Sequence, residues 1–555
     1  MSSTALLGNN QNDEDYSYGA FVAKQLGLNR KGGLLRFFAT TSGVAALLLF
    51  VYAVVEYVTP VPLNVIMLVS DGFGPASETL GRNFLQHIEN LPPSAVLPLD
   101  TILVGSSRTR SSDSFVTDSA AGATAFSCAL KSYNGAIGVD PDMNPCGTVL
   151  EAAKLRGYMT GIVATSRITH ATPASFSSHV IDRDMENEIA VQQIGNYSLG
   201  RMIDVAFAGG SCQFQPKSAG SGVSCRSDEL DLFSWGAEKI GWNYVKNVAE
   251  FRSIDVKSPR LPLMGLFTPD HLSYEIDRDP TREPSLKEMA IKALNILSTA
   301  TKKSRMGFFI MIEGSRIDMA AHVNDPAAHV REILAYNEAI EAIIEWVDNH
   351  SNTIMVSTSD HETGGLSVAH QLGDGYPVYE WFPSILVPVQ NSTEILGKYL
   401  STYPIDSSQP SYATFITDTL LPLWLGITDA TPSEIAFLQI PKLAAGIYQN
   451  YLAEMVSDRA GLGWTTHGHS AVDVNLYAHG HRANELRGNH ENTDIGKFLE
   501  SALGVDLKSV TAKLTTNKSW WNELTIKGKI LKADKAGNAA KSEFDLMHFH
   551  GNIGH

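Results

Sequence analysis

Three short apolar runs constrain this chain most, because each ends in acidic residues. Residues 64–70 (NVIMLVS) stop at Asp71-Gly72, residues 306–312 (MGFFIMI) stop at Glu313-Gly314, and residues 353–357 (TIMVS) lead into Asp360-His361-Glu362. A continuous apolar run of this length suits a strand covered on both faces, the condition found inside a mainly parallel sheet. In such sheets ligands bind beyond the carboxyl ends of the strands, where these acids would fall. Helix-forming stretches separate the runs, among them residues 147–156 and 285–299. The alternation predicts an α/β fold, doubly wound, with a mostly parallel central sheet and helices on both faces. At 555 residues the chain is long enough to bury a large core and carry insertions.

The N-terminal region reads differently. Residues 37–55 carry no charge and come close to the ~20 residues that span a bilayer as a helix, so residues 36–58 are expected to form a single membrane anchor. Lys24, Arg30, Lys31 and Arg36 precede the run and Glu56 follows it. That asymmetry places residues 1–35, a polar tail with an acidic patch at Asp13, Glu14 and Asp15, in the cytosol as a disordered segment, with the rest of the chain on the far side. A cleaved signal peptide is the competing reading, but the run starts late, is long, and lacks a small-x-small cleavage site. All four cysteines lie beyond the anchor, as an oxidising compartment would allow. Of three connectivities, the local pairing Cys128–Cys146 and Cys212–Cys225 is expected, with four free thiols as the alternative. Asn196, Asn349, Asn391 and Asn517 begin glycosylation sequons on the same side.

Further along, residues 365–461 loosen into Pro- and aromatic-rich sequence with one candidate helix near 431–455, read as an insertion that caps the site or mediates dimerisation. Residues 513–555 read as a poorly packed extension of the kind removed by proteolysis. The catalytic domain is then expected over 62–512. A net charge of −16 argues against nucleic-acid binding. An acidic chain acting on an anionic substrate would need local positive charge from metal ions or a few arginines.

The segment VTDSAAGATAF (116–126) places Ser119 where a helix begins, so that free backbone N–H groups would face whatever anion the serine attacks. Taken alone, an N-capping Asp-Ser ahead of a tightly packed helix explains it equally well. In EGSRIDMAAH (313–322), Asp318 and His322 stand four apart, on one face of a helix, as a metal pair requires. Asp360-His361 offers a second pair. Late in the chain, Thr466-His467-Gly468-His469 supplies a further imidazole, with His469 preferred over His467.

Together these motifs, with LVSDGFG (68–74), THATPASF (169–176) followed by Arg183, and STSDHETGG (357–365), resemble the alkaline phosphatase family over residues 62–505, and within it the membrane-anchored vacuolar members of fungi. The resemblance implies two zinc ions and one magnesium. Asp318, His322 and His469 would hold the first zinc, and Asp71, Asp360 and His361 the second. Thr172 and Glu313 would complete a magnesium site with Asp71. It further implies hydrolysis of small phosphate monoesters through a phosphoserine on Ser119, with Arg183 forking two phosphate oxygens, in a homodimer at the vacuole membrane with its catalytic domain in the lumen. Imidazole and carboxylate suit zinc, whereas an all-oxygen set suits magnesium. The sequence departs from the bacterial pattern at His170, which replaces an Asp and is read as standing behind the metals, and at Met319, which replaces a Lys. Rival readings are a phosphodiesterase, sulfatase or mutase of the same superfamily, or an inactive membrane-tethered receptor. Ser119 with Arg183 favours monoesters, and no ligand is missing.

Overall fold

Among the described residues, twelve strands organise the protein: β1 (Asn64–Val69), β2 (Leu103–Arg108), β3 (Met159–Arg167), β4 (Val205–Gly209), β5 (Asn243–Val245), β6 (Leu263–Leu266), β7 (Phe308–Glu313), β8 (Thr353–Thr358), β9 (Glu362–Thr363), β10 (His469–Ser470), β11 (Val474–Gly480) and β12 (Gly488–Glu491). The structure, a computed structural model, describes residues 63–538 except 221, 372, 405–410 and 517. The expected cytosolic tail and membrane anchor lie outside the described residues, among which no helix is long and apolar enough to cross a membrane.

Ten strands form one sheet in the order β12-β2-β11-β8-β1-β7-β3-β4-β6-β5, and β9 pairs with β10 in a separate ribbon. Every neighbouring pair in the large sheet is parallel except those made by β11. The three runs singled out in the sequence are therefore adjacent strands, β8-β1-β7, and Val69 pairs with both Glu313 and Thr358. That register delivers Asp71, Glu313 and Asp360 to one edge.

Alternation along β1 shows why the runs are apolar throughout. Val65, Met67 and Val69 pack into a cluster on one face with Phe126, Leu150 and Leu499, whereas Ile66 and Leu68 pack on the other with Leu294, Ile333 and Ile340. Each such fully buried side chain is worth about 1.5–3 kcal/mol over exposure. Helices Ser119–Cys128, Val149–Arg156 and Asn492–Leu503 cover the first face, and Leu286–Thr301 and Pro326–Asp348 the second. Local signals set where several of these start. Thr148 with Glu151, and Ser285 with Glu288, form capping boxes, each pair satisfying otherwise unpaired donors of the first turn.

In the insertion the single helix expected near 431–455 is two, Pro432–Leu438 and Ala445–Ala460. Pro441 lies between them and cannot donate to a helical ladder, and Lys442 takes a left-handed φ of 61°. The insertion's Leu396, Ile416, Tyr448 and Leu452 pack with Leu80, Phe84 and Val330 of the helices beneath. The C-terminal extension is better packed than its composition suggests. Helix Leu507–Thr516 buries Val510 and Leu514 in the main core, and in helix Lys518–Asn538 Leu524 is buried while the Trp521 indole donates to the Met143 carbonyl at 3.0 Å. Both expected disulfides, Cys128–Cys146 and Cys212–Cys225, are formed.

Candidate active site

Asp71 follows β1 and turns on Gly72, whose φ is +73° and where an added Cβ would lie 2.6 Å from Asp318 Cα, so only glycine lets the two segments meet. Ser119 is the first residue of helix Ser119–Cys128, and the Asp118 side chain caps that helix by accepting from Ala121 N at 2.9 Å. Gly122 brings the helix against Asp360, with an added Cβ only 2.9 Å from Asp360 Cβ. Pairing of β9 with β10 sets His469 opposite Thr363, which folds the late loop onto the ends of β1 and β8.

These elements converge. His361 Nε2 stands 3.1 Å from Ser119 Oγ, 3.2 Å from Asp360 Oδ2 and 3.5 Å from Asp71 Oδ1. His322 Nε2 lies 3.3 Å from Asp318 Oδ2 and 3.1 Å from His469 Nε2, which is 3.7 Å from Asp318 Oδ1. Asp71, Asp360 and His361, expected around the second zinc, form one group able to hold a metal ion; another is Asp318, His361 and His469, in which His361 stands where His322 was expected, although His322 Nε2 lies close to both Asp318 and His469. His467 is not in either group. It and His322 exchange hydrogen bonds between each ring Nδ1 and the other's carbonyl, which fixes the His322 ring instead.

The hydrogen bonds also fix tautomers. His322 Nδ1 donates to the His467 carbonyl, His469 Nδ1 to the Thr117 carbonyl at 2.8 Å, and His361 Nδ1 to Thr363 Oγ1 at 3.2 Å, while that hydroxyl donates to Asp318. In the neutral rings this leaves Nε2 of His322 and His469 facing Asp318 and each other, and Nε2 of His361 facing Asp360, Asp71 and the Ser119 hydroxyl, an array that a cation between them would satisfy. Both Asp71 oxygens, Glu313 Oε1 and Asp360 Oδ2 are buried with no hydrogen-bond partner among the described residues. Burial, then Asp360, Asp318 and Glu313, pushes the Asp71 carboxyl well above its ordinary range. Burial raises Glu313 to about 7. Burial would lower His361, but Asp360 and Asp318 pull it above its ordinary value. A dry pocket holding this much anionic and lone-pair density fits divalent cations bound by oxygen and imidazole.

Thr172 is fully buried on helix Ala171–Ser177 and lies near enough to Glu313 to lower its carboxyl. His170, expected behind the metals, stands with Asp71 and Glu313 in a third group of candidate ligands, and its Nδ1 is buried without a hydrogen-bond partner among the described residues. The helix start that places Thr172 puts its capping residue, His170, on the same side. Arg183 is buried, with Nη1 3.1 Å from Asp118 Oδ2 and Nη2 3.3 Å from His170 Nε2. Burial opposes its charge, but Asp118, Asp184 and Asp71 hold the guanidinium above its ordinary value.

A cavity of about 240 Å³ opens over Ser119, lined by Arg183, His170, His322 and His469. Met319 adds an apolar wall where a lysine was noted as missing. Sequence reading overlooked His271, which also lines the cavity and packs edge-on against His170 at 5.3 Å between ring centres. Its signal was present, since β6 is another buried apolar run followed by Asp270-His271. Thr363, inside the DHETGG motif, was likewise passed over.

Fold and site together place the chain among α/β enzymes that gather acids, imidazoles and a serine at the carboxyl edge of a sheet. Residues 63–505 match the family model for alkaline phosphatase. The chain is 48% identical over 474 residues to the repressible alkaline phosphatase of Saccharomyces cerevisiae, covering 82% of this chain and 84% of that protein. It is also 48% identical to an alkaline phosphatase of Schizosaccharomyces pombe over 82% of this chain and 83% of that one. Among solved structures it is similar to a cold-active alkaline phosphatase from Shewanella sp., with 30% identity, a TM-score of 0.66, and coverage of 80% of this chain and 100% of that one. A mutant alkaline phosphatase from the bacterium TAB5, solved with magnesium in its third metal site, is 25% identical with a TM-score of 0.55, covering 80% of this chain and 99% of that one. The chain belongs to the alkaline phosphatase family and is a hydrolase of that family.

Proposed function

We propose that the protein hydrolyses phosphate monoesters through a phosphoserine on Ser119. The observation that carries this reading is the single focus of Ser119 Oγ, the buried Asp71 carboxylate, Asp360 Oδ2 and Glu313 Oε1, none of which has a hydrogen-bond partner among the described residues, and the buried guanidinium of Arg183. Asp318, His322 and His469 would hold one zinc, and Asp71, Asp360 and His361 a second; Asp71, Thr172 and Glu313 would hold magnesium, the ion bound in the M3 site of the TAB5 mutant. Bound there, these cations supply Lewis acidity to the serine hydroxyl and neutralise the phosphoryl charge.

The chain's own groups do the rest. Arg183 donates two parallel N–H bonds to non-bridging phosphate oxygens, a fork that lysine cannot copy. Backbone N–H groups at the start of helix Ser119–Cys128 face the same charge. Ser119 Oγ loses its proton and bonds to phosphorus in line as the ester P–O bond breaks, and the leaving alkoxide takes up a proton. A water molecule then attacks phosphorus from the opposite side, the Oγ–P bond breaks, and inorganic phosphate leaves as the hydroxyl re-forms. Because every recognising group grips the phosphoryl end, the leaving group is weakly specified.

The same proposal assigns residues 36–58 to the membrane anchor, the catalytic domain to 62–512 in a vacuolar lumen, and a homodimer as the assembly. It is supported by the charge asymmetry about the apolar run, by the two disulfides, and by similarity to the fungal relatives. The test is turnover of p-nitrophenyl phosphate beside its bis ester and the corresponding sulfate, with and without chelator. Preference for the monoester and loss on chelation are expected; equal turnover of the diester would contradict the reading. Ser119→Ala should cut turnover at least about a thousandfold and leave no trappable phosphoserine, with metal content kept.

A further inference from the structure

Among the segments that the helix Lys518–Asn538 contacts are the residues on either side of Arg183. Lys535 Nζ lies 2.7 Å from Asp182 Oδ1 and also pairs with Asp184, although 353 residues separate Lys535 from Asp182. Gly528 sits so tightly on the stretch that an added Cβ would come 2.4 Å from Ile181 Cγ1 and 2.8 Å from Met185 Sδ. Leu524 is buried in one apolar cluster with Ile181, Met185 and Ile189. Lys532 stands 4.5 Å over the ring of Tyr133, whose hydroxyl donates to the Ile181 carbonyl at 2.9 Å.

Arg183 is thus bracketed by two carboxylates, and both are engaged from outside by one ammonium. A guanidinium forks phosphate well only when neighbouring carboxylates do not draw it aside. Asp184 is among the charges that act on Arg183. Lys535 meets the Asp182 and Asp184 charges, none of the three lines the cavity, and Arg183 makes its contacts to Asp118 and His170.

We infer that Lys535 is a positioning residue: through Asp182 and Asp184 the C-terminal helix holds the Arg183 segment in the pose that binds phosphate. This rests on the proposed role of Arg183 and is tested so that the two stand or fall separately. The experiment measures competitive inhibition by inorganic phosphate, KM and kcat for p-nitrophenyl phosphate, and zinc content, on the full-length metal-loaded protein and its variants. Lys535→Met should weaken phosphate inhibition about fivefold and raise KM in parallel, with zinc content and kcat little changed. Lys535→Arg should behave as the parent. Adding Asp184→Asn to Lys535→Met should recover most of the loss, because removing the competing charge makes its counter-ion dispensable. If Arg183→Ala weakens phosphate inhibition tenfold or more while Lys535→Met shifts it less than about twofold, the positioning role is refuted. Loss of zinc and of kcat together in Lys535→Met, with no recovery from Asp184→Asn, would equally refute it by showing a merely structural helix. If Arg183→Ala leaves phosphate inhibition intact, the Arg183 assignment fails instead.

Discussion

At the scale of single residues, Thr363 shows how little of the site lies in its obvious ligands. Its hydroxyl accepts from His361 and donates to Asp318 at 2.5 Å, so one side chain sets a tautomer in one candidate zinc site and orients a carboxylate in the other. Thr363→Val keeps the shape and removes both bonds. Partners of metal ligands are commonly worth about 10–100-fold in metal affinity, so this variant should lose zinc to a chelator at correspondingly lower concentration. Retention equal to the parent would show that Thr363 does not order the site. The candidate ligands were legible in the sequence because acids at strand ends and an i, i+4 pair are local patterns, as with Asp71 and with Asp318-His322. Thr363 and His271 were not, since their role depends on which loops fold against each other.

Elements carry a different kind of information, and one buried pair illustrates it. His179, just beyond helix Ala171–Ser177, donates from Nδ1 to the Gly138 carbonyl at 2.7 Å and meets Glu151 Oε1 of helix Val149–Arg156 at 2.8 Å, with both side chains fully buried. The Tyr197 hydroxyl donates to the same Glu151 oxygen at 2.6 Å. Burial opposes both charges, but Glu151 raises His179 above its ordinary value and His179 lowers Glu151 below its own. The raised histidine contributes in full below about 6.5 and that contribution is lost as pH rises through its folded value; the lowered glutamate contributes above about 4.3 and is lost as pH falls through its folded value. Thermal melts between about pH 7 and pH 10 should therefore show a decline that His179→Gln removes, at a cost near neutrality of about 3 kcal/mol. An unchanged alkaline decline in the variant would assign it to other groups. Helix starts at Thr148 and Ser285 were readable from capping residues, whereas the break at Pro441 was missed because the candidate helix was drawn across a proline.

For the molecule as a whole, the strands and the edge their acids share were the part of the fold most nearly contained in the sequence: three apolar runs ending in acids are β1, β7 and β8, whose adjacency the runs themselves do not encode. The position of the C-terminal extension was not. Its sparse apolar residues, among them Leu514 and Leu524, look like the pattern of a loose tail until the surfaces they cover are known. All of this serves one arrangement, in which strand ends, a helix start and a folded-back ribbon place a serine among anionic and lone-pair donors that need cations. Elemental analysis of the purified full-length protein, read as metal ions per chain beside its phosphatase activity, tests that arrangement most directly. The account predicts two zinc ions and one further divalent ion per chain, with activity falling as zinc is withdrawn and returning when it is restored. Full turnover from protein carrying less than one zinc per chain would contradict it.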